Sequence, residues 1–178
     1  MLGIDIFKNM IAINPIRSRK LPLVRNAEQM SKSNFNQLNK KIFDSIKELH
    51  LASGHYAITS SGPLGIRGLR QINDGDLIVD DYLWNILTKK HTPETKNGLT
   101  KIVLSEGLVE ILGQGSFFNY LDPEDPTVER QIRSAEIIDG LPFVKLKYIR
   151  HFKEKLGREK DLEDIKIIDQ YLLGKKFE

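Results

Sequence analysis

The chain has 178 residues, 40% hydrophobic and 29% charged, a balance suited to one compact domain with a sizeable core and not to a disordered chain or a fibre. Its 27 basic and 24 acidic side chains leave a net charge of +3, too small by itself to indicate nucleic-acid binding. With no cysteine, disulfides, thiolate nucleophiles and cysteine-based zinc sites are excluded.

A membrane-spanning helix needs about 20 apolar residues in succession. The early apolar runs, Leu2–Ile6 and Met10–Ile13, are interrupted by Asp5, Lys8 and Asn9, and no signal-peptide pattern accompanies them. The expectation is a cytoplasmic protein without membrane contact. Residues 1–30, with Pro15, Pro22 and the basic Arg17, Arg19 and Lys20, read as an unassigned N-terminal arm. That arm is the one feature that would support direct nucleic-acid binding.

From Phe35 the apolar residues Phe35, Leu38, Ile42, Phe43, Ile46 and Leu49 recur at helical spacing, with Ser33 or Asn34 as the cap and Gly54 as the stop. His55–Thr59 predicts a buried strand closed by the turn Ser60–Ser61–Gly62–Pro63. A short helix-like stretch through Leu64, Ile66 and Leu69 follows, then a strand over Ile72–Val79. Asp80 or Asp81 caps a helix bearing Tyr82, Leu83, Trp84, Ile86 and Leu87, and His91–Gly98 reads as a polar loop. Lys101–Leu104 and Leu108–Leu112 flank Ser105–Glu106–Gly107 as a hairpin. Asp122–Pro126 is a turn or exposed loop. A second hairpin turns at Asp139–Gly140, between Ala135–Ile138 and Pro142–Val144. Helices over Leu146–Leu156 and Leu162–Leu173 end the chain, with Asp161 and Asp164 resembling a capping box. The elements predict an α/β (α+β) domain: a core over 31–145 and a C-terminal helix pair over 146–178 packed on it.

The chemistry concentrates around Asp74 and Asp76. On a strand, side chains two residues apart share a face, so these carboxylates project together while Leu77 and Val79 face the other way. Their mutual repulsion is relieved by a divalent cation, and Mg²⁺ suits a site of one or two carboxylates completed by phosphate oxygens and water. Asn-Asp-Gly-Asp also has the composition of an ordinary turn. Glu110, between Val109 and Ile111, is a third acid if its strand neighbours that of Asp76, and a solvent-facing edge residue otherwise. The Ser60–Ser61–Gly62 turn is placed to bring hydroxyls and N–H groups to a phosphate, and Arg67 and Arg70 to neutralise it. The four histidines have no ligand-like spacing. Trp84 and Phe117–Phe118 read as core residues.

A small-residue pair after a strand, Asp-x-Asp before apolar residues and a later apolar-Glu-apolar strand together resemble the nucleotidyltransferase superfamily related to DNA polymerase beta. The run Lys153-Glu-Lys-Leu-Gly-Arg-Glu-Lys-Asp-Leu-Glu-Asp-Ile165 is similar to the helix pair of its minimal bacterial members, such as abortive-infection and toxin–antitoxin nucleotidyltransferases. The likeness covers residues 55–173. It departs in having Ser60–Ser61 where Gly-Ser or Gly-Gly is usual, and Gly75 where an apolar residue usually separates the aspartates. The resemblance implies a polymerase-beta-like mixed sheet with flanking helices. Asp74, Asp76 and Glu110 would be the catalytic metal ligands for two Mg²⁺ ions. Ser60, Ser61, Gly62, Arg67, Arg70 and Lys153 would bind a nucleoside triphosphate, and Arg158 and Lys160 would either bind phosphate or be surface charges. The implied reaction moves a nucleoside monophosphate to an acceptor hydroxyl and releases pyrophosphate. A protein side chain, a tRNA end, a sugar antibiotic and a small metabolite are all open as acceptor. The alternative is a regulatory or interaction module that binds nucleotide without catalysis.

Overall fold

The computed structural model describes residues 37–96, 98–113 and 123–174. The N-terminal arm, the expected cap at Ser33 or Asn34 with Phe35, and the segment Phe117–Tyr120 lie outside the described residues.

Seven strands form one mixed sheet: β1 (Tyr56–Ile58), β2 (Gly75–Val79), β3 (Glu94–Lys96), β4 (Leu99–Leu104), β5 (Val109–Leu112), β6 (Glu136–Ile138) and β7 (Leu141–Phe143), in the order β3-β4-β5-β2-β1-β7-β6. The pairs β2–β5 and β1–β7 are parallel and the others antiparallel. The described helices are α1 (37–48), α2 (Gly62–Gly65), α3 (Asp81–Leu87), α4 (Val128–Arg133), α5 (Leu146–Leu156) and α6 (Glu159–Gly174). Among the described residues no helix is long and apolar enough to cross a membrane.

Alternation along the strands divides the core into two layers. Leu77, Val79, Val109 and Ile111 pack on one side with Ile42, Phe43 and Ile46 of α1 and Leu83 and Leu87 of α3. Ala57, Ile78 and Val144 pack on the other with Val128 and Ile132 of α4, Ile149 of α5 and Ile168 of α6. The central strands are thus covered on both faces.

Several elements differ from the sequence reading for identifiable reasons. The expected loop His91–Gly98 contains β3, whose three residues are all exposed; it pairs along β4, with Thr95 and Thr100 hydroxyls 2.9 Å apart. An edge strand without apolar residues carries no alternation to read. The strand expected from Ile72 begins at Gly75. Helix α4 has no counterpart in the sequence reading; Thr127 caps it by accepting from the Arg130 N–H at 3.2 Å, and it is too short for periodicity to reveal. The last helix begins at Glu159 rather than Leu162. Asp80, not Asp81, caps α3, accepting from the Leu83 N–H at 2.9 Å. In the second hairpin Asp139 and Gly140 both have positive φ, 50° and 76°, as a tight turn of this hand requires.

One polar side chain ties the first layer to the loop that leads into β2. Asn39 of α1 is 2% exposed; its Nδ2 donates to Gly65 O at 3.1 Å and Arg70 O at 2.9 Å, and its Oδ1 accepts from Ile72 N at 2.9 Å. All three partners are main-chain groups; the bonds to Gly65 and Ile72 are buried and that to Arg70 is partly buried. Asn39→Ala should cost about 2–4 kcal/mol, because a buried N–H and two carbonyls lose their partner. Urea unfolding reads this directly, and a midpoint unchanged from the parent protein would show that the loop does not depend on Asn39.

Candidate functional site

The site lies where β1 ends and β2 begins. Their antiparallel register puts Ile58 opposite Leu77, and the Thr59 N–H continues the ladder by donating to Asp76 O at 2.8 Å. The chain then turns sharply at Ser60, a non-glycine residue at φ 55°. L side chains are disfavoured there, and glycine is the usual occupant. Gly62 is closely packed: its N–H is donated to Thr59 O at 3.0 Å, and a Cβ would lie 2.4 Å from Ile58 Cγ2.

On the other side of β2, the parallel register with β5 sets Asp76 beside Glu110 and Gly75 beside Val109. Paired residues of neighbouring strands share a face, so Asp76 and Glu110 point the same way, and Asp74 stands immediately before the first residue of β2. Gly75 faces α1: a Cβ would lie 2.7 Å from Ile46 Cδ1 and 3.0 Å from Ile42 Cγ2. The helix occupies the space that an apolar residue between the aspartates would need.

Asp74 and Asp76 are both raised above the ordinary carboxylate pKa. Burial pushes the Asp76 carboxyl up to about 6, with the charges of Asp74 and Glu110 adding to the effect, while a hydrogen bond from Ser60 and the charge of Lys101 oppose it. Asp74 is also raised, chiefly by burial and then by Glu110, against the charges of Lys101 and Lys160. Lys160, in the first turn of α6, therefore lies within electrostatic reach of the cluster. Glu110 Oε1 accepts a hydrogen bond from the ammonium of Lys101, and that lysine is held above its ordinary pKa by the bond. Among the described residues no group of three or more histidine, cysteine, aspartate or glutamate side chains is arranged to hold a metal ion. The parallel register puts Asp76 and Glu110 on one face, Asp74 stands close enough for its charge to act on Asp76, and Lys101 holds Glu110.

The other expected phosphate ligands are engaged within the protein. Arg67 donates to Pro63 O at 2.7 Å and pairs with Glu136 of β6. Arg70 pairs with Asp164 at 2.5 Å. Lys153, expected to reach toward a nucleotide, is buried and lies 3.1 Å from Asp161 and 2.7 Å from Asp164. Arg158 completes this cluster at 2.5 Å from Asp161. Burial pushes Asp161 up, but the hydrogen bonds and charges of Arg158 and Lys153 outweigh it and hold its carboxyl below the usual range. Asp161, in the first turn of α6, and Asp164 are thus buried anchors of ion pairs in addition to standing at a helix start.

Lys101 is the site residue that the sequence reading passed over. The signal was there: with the hairpin turning at Ser105–Gly107, Val103 falls opposite Glu110, and Lys101 is two residues along on the same face. Comparison of the chain with protein-family models, curated proteins and solved structures finds no match.

Two measurements follow from these charges. Asp76 binds a proton in the folded state at a pH where the unfolded chain has lost it, so folding stability should fall as pH rises from about 4 through 6. In metal-free buffer Asp76→Asn should therefore be more stable than the parent at pH 8, by on the order of 1–3 kcal/mol, with the gain gone below pH 4; a less stable variant at pH 8 would contradict this origin of the shift. Lys153→Met should lose about 3–5 kcal/mol, since two buried carboxylates lose a shared cation. Thermal unfolding that is unaltered in this variant would instead leave Lys153 free for a ligand.

Proposed function

We propose that the protein is a Mg²⁺-dependent nucleotidyltransferase of the polymerase-beta-like type, moving a nucleoside monophosphate from a triphosphate to an acceptor hydroxyl. The observation that carries this reading is the in-register placement of Asp76 beside Glu110, with Asp74 two residues upstream and the Ser60–Ser61 turn against the same strand end. The donor set is all oxygen, and burial and mutual repulsion leave it in need of positive charge, which fits Mg²⁺.

Asp74 and Asp76 would hold the metal, joined by Glu110. Bound Mg²⁺ would supply neutralisation of the triphosphate and polarisation of the acceptor hydroxyl. The chain's own groups do the rest. The Ser60 and Ser61 hydroxyls border the phosphates. Lys160, whose charge already acts on Asp74, adds positive potential from the helical layer. The acceptor oxygen forms its bond to the α-phosphorus as the bond to the β-phosphate oxygen breaks; pyrophosphate leaves, and the acceptor's proton passes to a carboxylate, Glu110 in this reading. Positioning and charge account for the acceleration.

Calorimetric titration with each nucleoside triphosphate, with and without Mg²⁺, tests the donor site. Binding should require Mg²⁺ and weaken by about 100-fold or more in Asp74→Asn/Asp76→Asn. Triphosphate binding that survives both removals overturns the assignment. The engagement of Arg67, Arg70 and Lys153 in internal ion pairs favours a second reading, a nucleotide-binding module without catalysis. Pyrophosphate release in the presence of an acceptor separates the two.

A further inference from the structure

Lys101 occupies a position that an ordinary surface lysine does not. Its register partner across β3–β4 is Glu94, and Glu110 lies diagonally across β4–β5, so its ammonium sits between two carboxylates on either side of its own strand. Nζ is hydrogen-bonded to Glu110 and stands 4.0 Å from Glu94 Oε1. The lysine is 16% and Glu110 20% exposed at the side chain, whereas Glu94 is 58% exposed. The inner partner is thus sheltered and the outer one open to water. Ion pairs sheltered from water are screened less than exposed ones.

We propose that Lys101 is a built-in counter-ion that competes with a divalent cation for Glu110, so that cation binding requires the ammonium to leave Glu110 and move toward Glu94. This rests on the reading of Asp74, Asp76 and Glu110 as metal ligands, and it assigns Lys101 the role of setting the cation affinity of that site. The geometry supplies both halves of the exchange. Glu110 shares its face with Asp76 through the β2–β5 register, while a second carboxylate stands on the far side of Lys101 to receive the ammonium. Glu110 is already paired with the ammonium, so its charge is balanced before any cation arrives. In the absence of a divalent ion the lysine offsets part of the repulsion among the acids. Once an ion is bound, that service is redundant and its charge opposes the ion.

The test is Mn²⁺ binding, followed by water-proton relaxation, in the parent protein, Lys101→Met, Lys101→Arg, Glu110→Gln, Lys101→Met/Glu110→Gln and Asp74→Asn/Asp76→Asn. Removing the competing charge should tighten Mn²⁺ binding by about five- to tenfold in Lys101→Met, while Lys101→Arg stays near the parent value. In the Glu110→Gln background the same replacement should gain less than half of that factor, since the competition runs through Glu110. An unchanged or weaker affinity in Lys101→Met, with parent binding still dependent on Asp74 and Asp76, overturns the role of Lys101 and leaves the metal site standing. Absence of aspartate-dependent Mn²⁺ binding in both the parent and Lys101→Met overturns the two together. Should Lys101→Met fail to fold, Lys101→Gln replaces it, the far-ultraviolet circular dichroism of each variant being recorded first.

Discussion

A strand covered by helices on both faces has few places to keep a carboxylate, and that constraint organises this protein. β2 has β1 and β5 as neighbours and apolar residues against it from both layers, and its one acid, Asp76, stands near its beginning, directly after Gly75. Gly75 lets α1 press onto the opposite face at that point, which leaves Asp74 and Asp76 no alternative but the side they share. The parallel pairing with β5 then adds Glu110 to the same face. Negative charge accumulates because the register sets Asp76 beside Glu110 with Asp74 just ahead of the strand, and burial first, then the charges of Asp74 and Glu110, raise the affinity of Asp76 for protons.

Opposite charge is supplied at two depths. Close to the acids, Lys101 and Lys160 are the cations whose charges reach them. Deeper in the helical layer, Lys153, Arg158 and Arg70 surround Asp161 and Asp164, bridging α5, α6 and the loop after α2. That second cluster spans a long stretch of sequence and joins the C-terminal helix pair to the segment that delivers Asp74. Removing one member of such a buried group costs more than the net worth of the interaction, because the partners left behind are stranded away from water. A basic and acidic sequence pattern that reads as a solvated helix face is here an interior fastening.

Much of this was legible in the chain itself. The alternation around Asp74–Val79, the Asp139–Gly140 turn and the apolar stretches on either side of Ser105–Gly107 located β2 and both hairpins, and they placed Glu110 on a strand. What single-sequence patterns do not contain is lateral order. Nothing local to Lys101 shows that Glu94 and Glu110 lie on either side of it, since those neighbours come from strand pairing. Asn39 was hidden for a related reason: an apolar stripe through Leu38 and Ile42 implies a hydrophobic contact, whereas Leu38 is half exposed and the buried neighbour is the amide. Lys153 and Asp161 meet only because the turn at Gly157, with φ 60°, folds the two helices together, which neither residue's local sequence shows.

Ser60 carries two demands that conflict. Its backbone adopts a left-handed conformation in which a β-carbon is a burden, yet its hydroxyl is the hydrogen-bond donor that favours the ionised form of Asp76. Glycine would relieve the left-handed main chain and leave the carboxylate with one fewer donor, so the same replacement would remove strain from the turn and lower the acidity of its neighbour. Fold quality and acid strength are therefore traded against each other at a single atom, and a library selected only for thermal robustness would drift toward glycine here while silently changing the proton inventory of the acidic face.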